Sequence, residues 1–507
     1  MTDSVGGRTA QLRWGVYGLL IALAVGNMAG RLFSVNSINR ADLETHLIRQ
    51  DLLKAEKKLQ QQGLPAAQRA EQLAEARQRI VESRQLQRPF LSANDRSRWL
   101  AIRALVELGT YEIDELLDRN NWNTIDMVQH RGRDGELHLY SSKPPLLVTL
   151  LAGEYWLIHQ ATGMTLGSHP YVVGRLMLVT INVVPMVLMF WLLAKLAERF
   201  GTTDWSRVFL VGSATLGTLL TTFAVTLNNH TVAAVSACVA LYAFVRIWCD
   251  GENRTRYYSL CGLAAAFTAA NELPALALLA AMALALSTRD RRAWLTGFLP
   301  AALLVVVAFF ATNYAAHDCL TPPYMHKGSE DSANDWYAYT YSIDGVERES
   351  YWQNRQGIDR GEPSRAAYAL HTLVGHHGVF SLTPIWLLSM VGLVLWYRQG
   401  EANRRILAMG ILGLTLIVLV FYVGLRPQED RNYGGMCSGL RWMFWFAPLW
   451  LIGMLPALDW CAKSRTWRFV ALLLLMFSAL SVSYPTWNPW TQPWIYRCLE
   501  SCGWQGF

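Results

Sequence analysis

The chain has 507 residues, 52% hydrophobic and 12% aromatic but only 16% charged, against about 25% charged in soluble domains. Its 45 Lys and Arg outnumber 38 Asp and Glu for a net charge of +7. The cations gather in short loops between apolar runs, the cytoplasmic bias of membrane proteins, which excludes a soluble enzyme and a nucleic-acid binder. Apolar runs of about 17 to 25 residues recur, so the reading is an all-α polytopic membrane protein.

Residues 1–34 are read as a signal-anchor span, because Arg8 and Arg13 precede an apolar stretch with no clean small-residue cleavage site. Residues 35–91 are placed outside. Within them, 41–86 are rich in Ala, Leu, Gln, Glu, Lys and Arg and break once at "QGLP", where Gly63 stops one helix and Pro65 starts the next. This helical hairpin is either a partner surface or a solvated spacer.

Residues 92–169 form the first-loop region. "SANDRSRWLAIRALVELGTYEID" sets Asp95 at the head of an amphipathic helix with Trp99, Leu100, Ile102, Leu105 and Val106 on its apolar face. Asp95 is either a helix cap or a general base for an acceptor hydroxyl. In "YSSKPPLL", Lys143 precedes two prolines that start an apolar helix. It either snorkels to the phosphate layer or contacts a lipid-linked phosphate. Residues 144–162 are read as lying in or dipping into the outer face, because a full crossing there would reverse every later loop.

Spans follow near 170–196, 206–226, 230–248, 257–271, 273–287 and 294–315, a transmembrane module over 170–315. An outside loop covers 316–380. The C-terminal part, 381–507, holds spans near 381–397, 405–425, 441–460 and 468–484 and an outer tail. That makes about 11 transmembrane helices with the C-terminus outside.

This map collects the unusual polar residues on the outer side. Asn228, Asn229 and His230 in "TLNNHT" interrupt two spans and are costly there without partners. They either cap helix ends or line an acceptor or sugar site in which His230 accepts a proton. Glu272 falls at an outer turn between two short spans. His371, His376 and His377 lie in "YALHTLVGHHGVFSLTP", without zinc-type spacing such as H-E-x-x-H. Gly375 and Gly378 bracket the last two, either in a structural turn or where backbone approaches a ligand. Arg441, in "YGGMCSGLRWMFWFAPLW", is either an interfacial anchor or a fork of donors for a phosphate. Of eight cysteines, Cys319, Cys437, Cys498 and Cys502 are placed outside, as free thiols or disulfide partners. A P-loop, a G-x-G-x-x-G and a D-x-D are missing. An outside site has no nucleotide-sugar supply, and a lipid carrier would deliver the activated group instead.

On the first span, the large outer loop with its acidic start and amphipathic helix, "KPPL" at Lys143–Leu146, the "GG-x-x-S-G-x-R" ending at Arg441 and a total near eleven spans, the chain resembles the GT-C glycosyltransferases. Within them it is similar to the branch of protein O-mannosyltransferases and lipid A aminoarabinose transferases. The resemblance covers the architecture of most spans and three short motifs. It implies a GT-C-like fold, a polyprenyl-phosphate sugar as donor and an inverting transfer on the extracytoplasmic face of the cytoplasmic membrane. The acceptor would be a protein, lipid or glycan, and the 41–86 hairpin is a candidate partner surface. By the same resemblance Asp95 is the base, and Lys143 and Arg441 steady the departing phosphate. Asn228, Asn229, His230, Glu272, His371, His376 and His377 are the further candidates for substrate contact. The family usually has Asp followed by Glu, whereas this chain has Arg96 after Asp95, and no metal is carried over. The competing readings are an envelope-polysaccharide polymerase or ligase, a transporter for a lipid-linked sugar, and a non-catalytic scaffold.

Overall fold

The computed structural model describes residues 2–34, 38–63, 65–85, 90–117, 122–328, 334–343, 346–485 and 488–504. In chain order, α1 (Thr2–Ser34) leads to the hairpin of α2 (Ile38–Gln61) and α3 (Ala66–Gln85), followed by α4 (Ala93–Glu107) and the single turn α5 (Asp114–Leu117). The antiparallel pair β1 (Met127–Arg131) and β2 (Leu137–Ser141) comes next, in register Met127 to Ser141. Then come α6 (Pro145–Thr162), α7 (Pro170–Leu178), α8 (Val184–Phe200), α9 (Asp204–Leu216), α10 (Asn229–Trp248), α11 (Thr255–Asn271) and α12 (Leu276–Ser287). The short α13 (Arg291–Ala293) runs through a π-helical segment into α14 (Leu299–His317), and a lid segment carries the exposed hairpin β3 (Thr340–Ile343) and β4 (Val346–Glu349). The chain closes with α15 (Arg365–Leu373), α16 (Val379–Leu382), α17 (Ile385–Gln399), α18 (Ala402–Leu419), α19 (Ala447–Gly453), α20 (Leu455–Cys461), α21 (Arg465–Ser483) and α22 (Trp494–Ser501).

Six helices among the described residues are long and apolar enough to cross a membrane: Thr9–Phe33, Pro170–Phe200, Asn229–Trp248, Arg291–His317, Ala402–Leu425 and Arg465–Ser483. A seventh is added if the bent pair Arg441–Gly453 and Leu455–Cys461 is one span. The 43° bend falls just before Pro456, which has no N–H for the preceding turn.

Several of the eleven expected spans take other forms. The segment expected as 206–226 is helical only to Leu216 and then runs through turns and a 3-10 segment, Thr222–Val225. Its hydroxyls explain how irregular backbone survives at that depth. Thr218 donates to the Ala214 carbonyl, Thr221 to Thr218 and Thr222 to Val482, so the polar groups are satisfied inside protein. Expected spans 257–271 and 273–287 are α11 and the shorter apolar helix Leu273–Ser287, separated at Glu272. Pro274 enforces the break.

α4 also departs from the expected surface helix. All its residues from Asp95 to Ala104 are buried. Its N-cap is Ser92, whose Oγ accepts from the Asp95 N–H at 3.0 Å, so Asp95 is not the cap.

α10 runs through the middle of the bundle and packs on α8, α11 and α19. Ala233, Ala237 and Ala240 of α10 and Ala264 and Ala265 of α11 are buried, small residues that let the two helices approach closely. On its other side α11 meets the π-helical turn before α14. A Cβ added at Gly262 would run into the Phe298 backbone carbonyl. Gly262→Val is therefore expected to push the helices apart and cost roughly 1–3 kcal/mol, seen as a lowered unfolding midpoint in detergent. An unchanged midpoint would show that this contact is loose.

The bundle ends differ in charge. At the end bearing Arg13, that guanidinium holds Glu198 at 2.8 Å and Asp204 at 2.7 Å, and Arg199 holds Asp250 at 2.6 Å. Arg254, Arg289, Arg291, Arg292, Arg404, Arg405 and Arg465 stand in the turns of this end. The opposite end, where α10 begins and α11 finishes, carries α4, β1–β2 and the lid.

Candidate active site

A cavity of about 430 Å³ opens at this second end between α4, the start of α6, the ends of α10 and α11, the lid and residues 421–442. It joins an apolar wall (Pro144, Leu146, Leu147, Leu273, Pro274, Phe421) to a strongly charged one (Arg98, Lys143, Arg426, Arg441, Asp126, Glu272).

Asp126 stands just before β1. Lys143 Nζ lies 2.6 Å from its Oδ2, the Ser142 hydroxyl donates to Oδ1 at 2.5 Å, and Asn94 Nδ2 donates to Oδ2 at 3.0 Å. Burial pushes the Asp126 pKa up, but Lys143 outweighs it and the carboxyl ends below its ordinary range. Burial brings Lys143 down to about 8 against the pull of Asp126. Both partners remain charged near neutrality.

The three guanidinium groups of the cavity are met by neutral atoms. Arg98 donates to the side-chain oxygens of Asn94 at 2.6 Å and Asn229 at 2.5 Å, and burial lowers it to about 10. Arg426 Nη1 donates to the Asp430 carbonyl at 3.1 Å, and the guanidinium carbon lies 4.1 Å over the Trp442 ring. Arg441 Nε donates to the Gly434 carbonyl at 2.9 Å, and its guanidinium sits 4.6 Å over Trp490. The turn that presents this carbonyl has φ of 56° at Tyr433, 92° at Gly434 and 76° at Gly435, which is why it is written with two glycines. Among the described residues none of the three arginines forms an ion pair. The other cation, Lys327, is 2.5 Å from Asp430.

Glu272 caps the end of α11. Its Oε1 accepts from Asn229 Nδ2 at 2.9 Å and is bonded to His230 Nδ1. Burial lifts its pKa to about 8, opposed by Arg441, Arg98 and Arg426.

Of the residues singled out from the sequence, Lys143, Asn229, His230, Glu272 and Arg441 face this cavity. Asp95 does not. Its Oδ1 accepts from Trp99 Nε1 and from Leu227 N–H, both at 2.9 Å, and its Oδ2 from Leu91 N–H at 3.2 Å. Burial lifts it to about 6. It ties α4 to the chain entering α10. Asn228 is the N-cap of α10, accepting from Thr231 N–H at 2.9 Å, with its amide turned to the Phe223 and Thr226 carbonyls. His371, His376 and His377 form a separate cluster. His371 stacks on His376 at 4.0 Å, the two Nδ1 atoms of His376 and His377 are 2.5 Å apart, and Tyr433, Tyr496 and Trp504 close around them. Burial drives His376 down to about 3 and His377 well below its ordinary range, and none of the three lines the cavity.

The sequence reading passed over Asn94, Arg98, Asp126 and Arg426. Arg98 had a signal, a cation amid the apolar positions of α4, and Asp126 precedes a strand only four residues after Trp122. Neither pattern is specific. Among the described residues no group of three or more His, Cys, Asp or Glu is placed to hold a metal ion. All eight cysteines are free thiols.

No family model and no curated protein matches the chain. Three structures of the Archaeoglobus fulgidus oligosaccharyltransferase are similar to it. The complex with zinc and sulfate has 13% identity and a TM-score of 0.37 over 70% of this chain and 46% of that one. The apo form has 12% identity and a TM-score of 0.38 over 78% and 51%. The form with an inhibitory peptide and a dolichol-phosphate has 12% and 0.37 over 79% and 51%. The chain thus spans about half the length of each. A likeness at this score sets neither its fold nor its activity.

Proposed function

We propose that the protein is a membrane glycosyltransferase of the GT-C type that takes a sugar from a polyprenyl-phosphate carrier and passes it to an acceptor at this cavity. The carrying observation is the set of three arginines, Arg98, Arg426 and Arg441, that face one cavity without a carboxylate partner. Arg98 is buried and Arg426 and Arg441 are half-buried; a buried cation without a counter-ion is costly, and an entering phosphate supplies negative charge in the geometry that guanidinium recognises. The apolar wall beside it suits a prenyl chain approaching from the bilayer.

Orientation supports the same reading. The arginine-rich turns lie at the far end of the bundle, the end expected in the cytoplasm, which supports a cavity that opens on the extracytoplasmic side. In the reaction the acceptor oxygen attacks the anomeric carbon, the bond from that carbon to the phosphate oxygen breaks, and the electron pair leaves with the phosphate. Lys143 and the arginines offset the charge that grows there. Asp95, with both oxygens committed outside the cavity, positions α4 in this reading, and the acceptor proton goes to a group of the cavity itself.

The test is titration of purified protein in detergent with undecaprenyl phosphate. Saturable binding that a neutral prenol of equal length does not compete is the expected result. Equal affinity for the prenol would reduce the cavity to a general apolar groove and end the proposal.

A further inference from the structure

Glu272 occupies a particular place in the cavity. The three guanidinium groups that lack carboxylate partners all act on its carboxyl from different parts of the fold: Arg98 on α4, Arg426 after α18, and Arg441 before α19. None of them is paired with it. Instead its Oε1 is held by neutral Asn229 and by His230, both from the first turn of α10. Glu272 is the inner acid of the cavity that no lysine neutralises, since Asp126 is held by Lys143 and Asp430 by Lys327. Any anion that settles among the arginines must therefore share them with Glu272.

We propose that the carrier phosphate and the negative charge of Glu272 exclude one another, so that the Glu272–His230 pair takes up a proton as the phosphate gains charge. This rests on the reading of the cavity as a lipid-phosphate site and deepens it by naming the proton acceptor. In the transfer step the acceptor O–H breaks as its oxygen bonds to the anomeric carbon. The carbon–oxygen bond to the phosphate opens, the electron pair passes to the phosphate, and the proton ends on the Glu272 carboxyl, directly or through the His230 ring. Charge leaving the sugar and the proton leaving the acceptor thus arrive in one cavity together, and neither stays unbalanced.

The geometry fits both halves. His230 Nδ1 is engaged by Glu272 Oε1, so an ionised Glu272 fixes the ring with Nδ1–H donating and Nε2 left as an acceptor. The ring lines the cavity. Once protonated, Glu272 no longer competes for Arg441 or Arg426. Its pKa, lifted by burial to about 8, makes it a stronger proton acceptor than an ordinary carboxyl once it is ionised, at and above that pH.

The coupling can be read without knowing the sugar or the acceptor, because undecaprenyl phosphate mimics the product side. The experiment is calorimetric titration of the full chain with undecaprenyl phosphate at pH 8.5 in two buffers of different ionisation enthalpy. There the lipid phosphate, with a second pKa of about 6, is already fully ionised. In wild type Glu272 is expected to take up roughly 0.5 to 0.8 proton per lipid bound. The other group that titrates there is Lys143, beside Asp126, and Tyr422 also faces Glu272, so the variants separate them. Glu272→Gln should lose the uptake except for the share of Lys143. Lys143→Arg, which keeps a permanent charge beside Asp126, should retain the Glu272 share, and the double variant should bind with no uptake.

Binding by wild type with no uptake overturns the proposal, as does uptake in Lys143→Arg that adding Glu272→Gln does not remove. Failure of wild type to bind undecaprenyl phosphate at all would instead remove the lipid-phosphate reading beneath it.

Discussion

Arg441→Ala is expected to weaken binding of undecaprenyl phosphate by about 10- to 100-fold. A hydrogen bond to a charged group contributes roughly 1.5–3 kcal/mol, and each 1.4 kcal/mol is a factor of ten. Among the described residues only the Nε of the Arg441 side chain is hydrogen-bonded, to the Gly434 carbonyl, so most of its fork is available to an anion. Arg441→Lys should recover part of the charge and little of the two-pronged geometry, leaving binding between the two. The measurement is the dissociation constant at two salt concentrations, because a phosphate contact also makes binding salt-dependent. Wild-type affinity in Arg441→Ala would place the phosphate elsewhere and leave the three arginines without a role. His376→Ala serves as a contrast. That ring packs among Tyr433, Tyr496 and Trp504 away from the cavity, so its loss should lower stability and leave lipid affinity near wild type.

Asp95→Ala is expected to be among the most destabilising single changes in the chain, by about 3 kcal/mol or more. It strands two buried donors, Trp99 Nε1 and Leu227 N–H, and the half-buried Leu91 N–H. The loss would be read as a fall in the unfolding midpoint in detergent and as proteolysis near residues 90–95 under native conditions. Asp95→Asn keeps one acceptor oxygen and should lose less. A catalytic base would behave differently, since Asp95→Asn would then keep wild-type stability and lose only transfer. If Asp95→Ala melts as wild type does, the anchoring role is wrong and the base reading returns.

The candidate site was half legible in the sequence. Lys143, His230, Glu272 and Arg441 attracted notice as polar groups where apolar segments end, and each faces the cavity because bilayer-spanning helices must bring their ends to a common level. Asp95 attracted notice for the same reason, yet it points into protein. An acid at the third position of a helix can serve a backbone or a substrate, and only the approach of Leu227, 132 residues away, decides between them. Arg98 and Asp126 were passed over because a cation among apolar helix positions, or an acid before a strand, does not by itself separate a buried group with amide partners from a surface one. The histidines of "GHHG" looked chemical on their residue type, but packing against Tyr433 and the C-terminal helix makes them part of an aromatic cluster.

By itself the sequence determined the class of the molecule. Apolar runs with few charges have one low-energy solvent, the bilayer, and there backbone must be helical. It also determined the ends of many helices, through Gly, Pro and the clustering of arginine in the turns of one end. Tertiary structure alone decided how many helices run long enough to cross, since a threonine-rich stretch such as 217–226 stays irregular only because α21 and its own carbonyls satisfy it. It alone decided which charges meet. Arg98, Glu272 and the pair Arg426 and Arg441 come from three segments far apart in the chain, and their Coulombic and hydrogen-bonding energies depend on distances that no local pattern encodes.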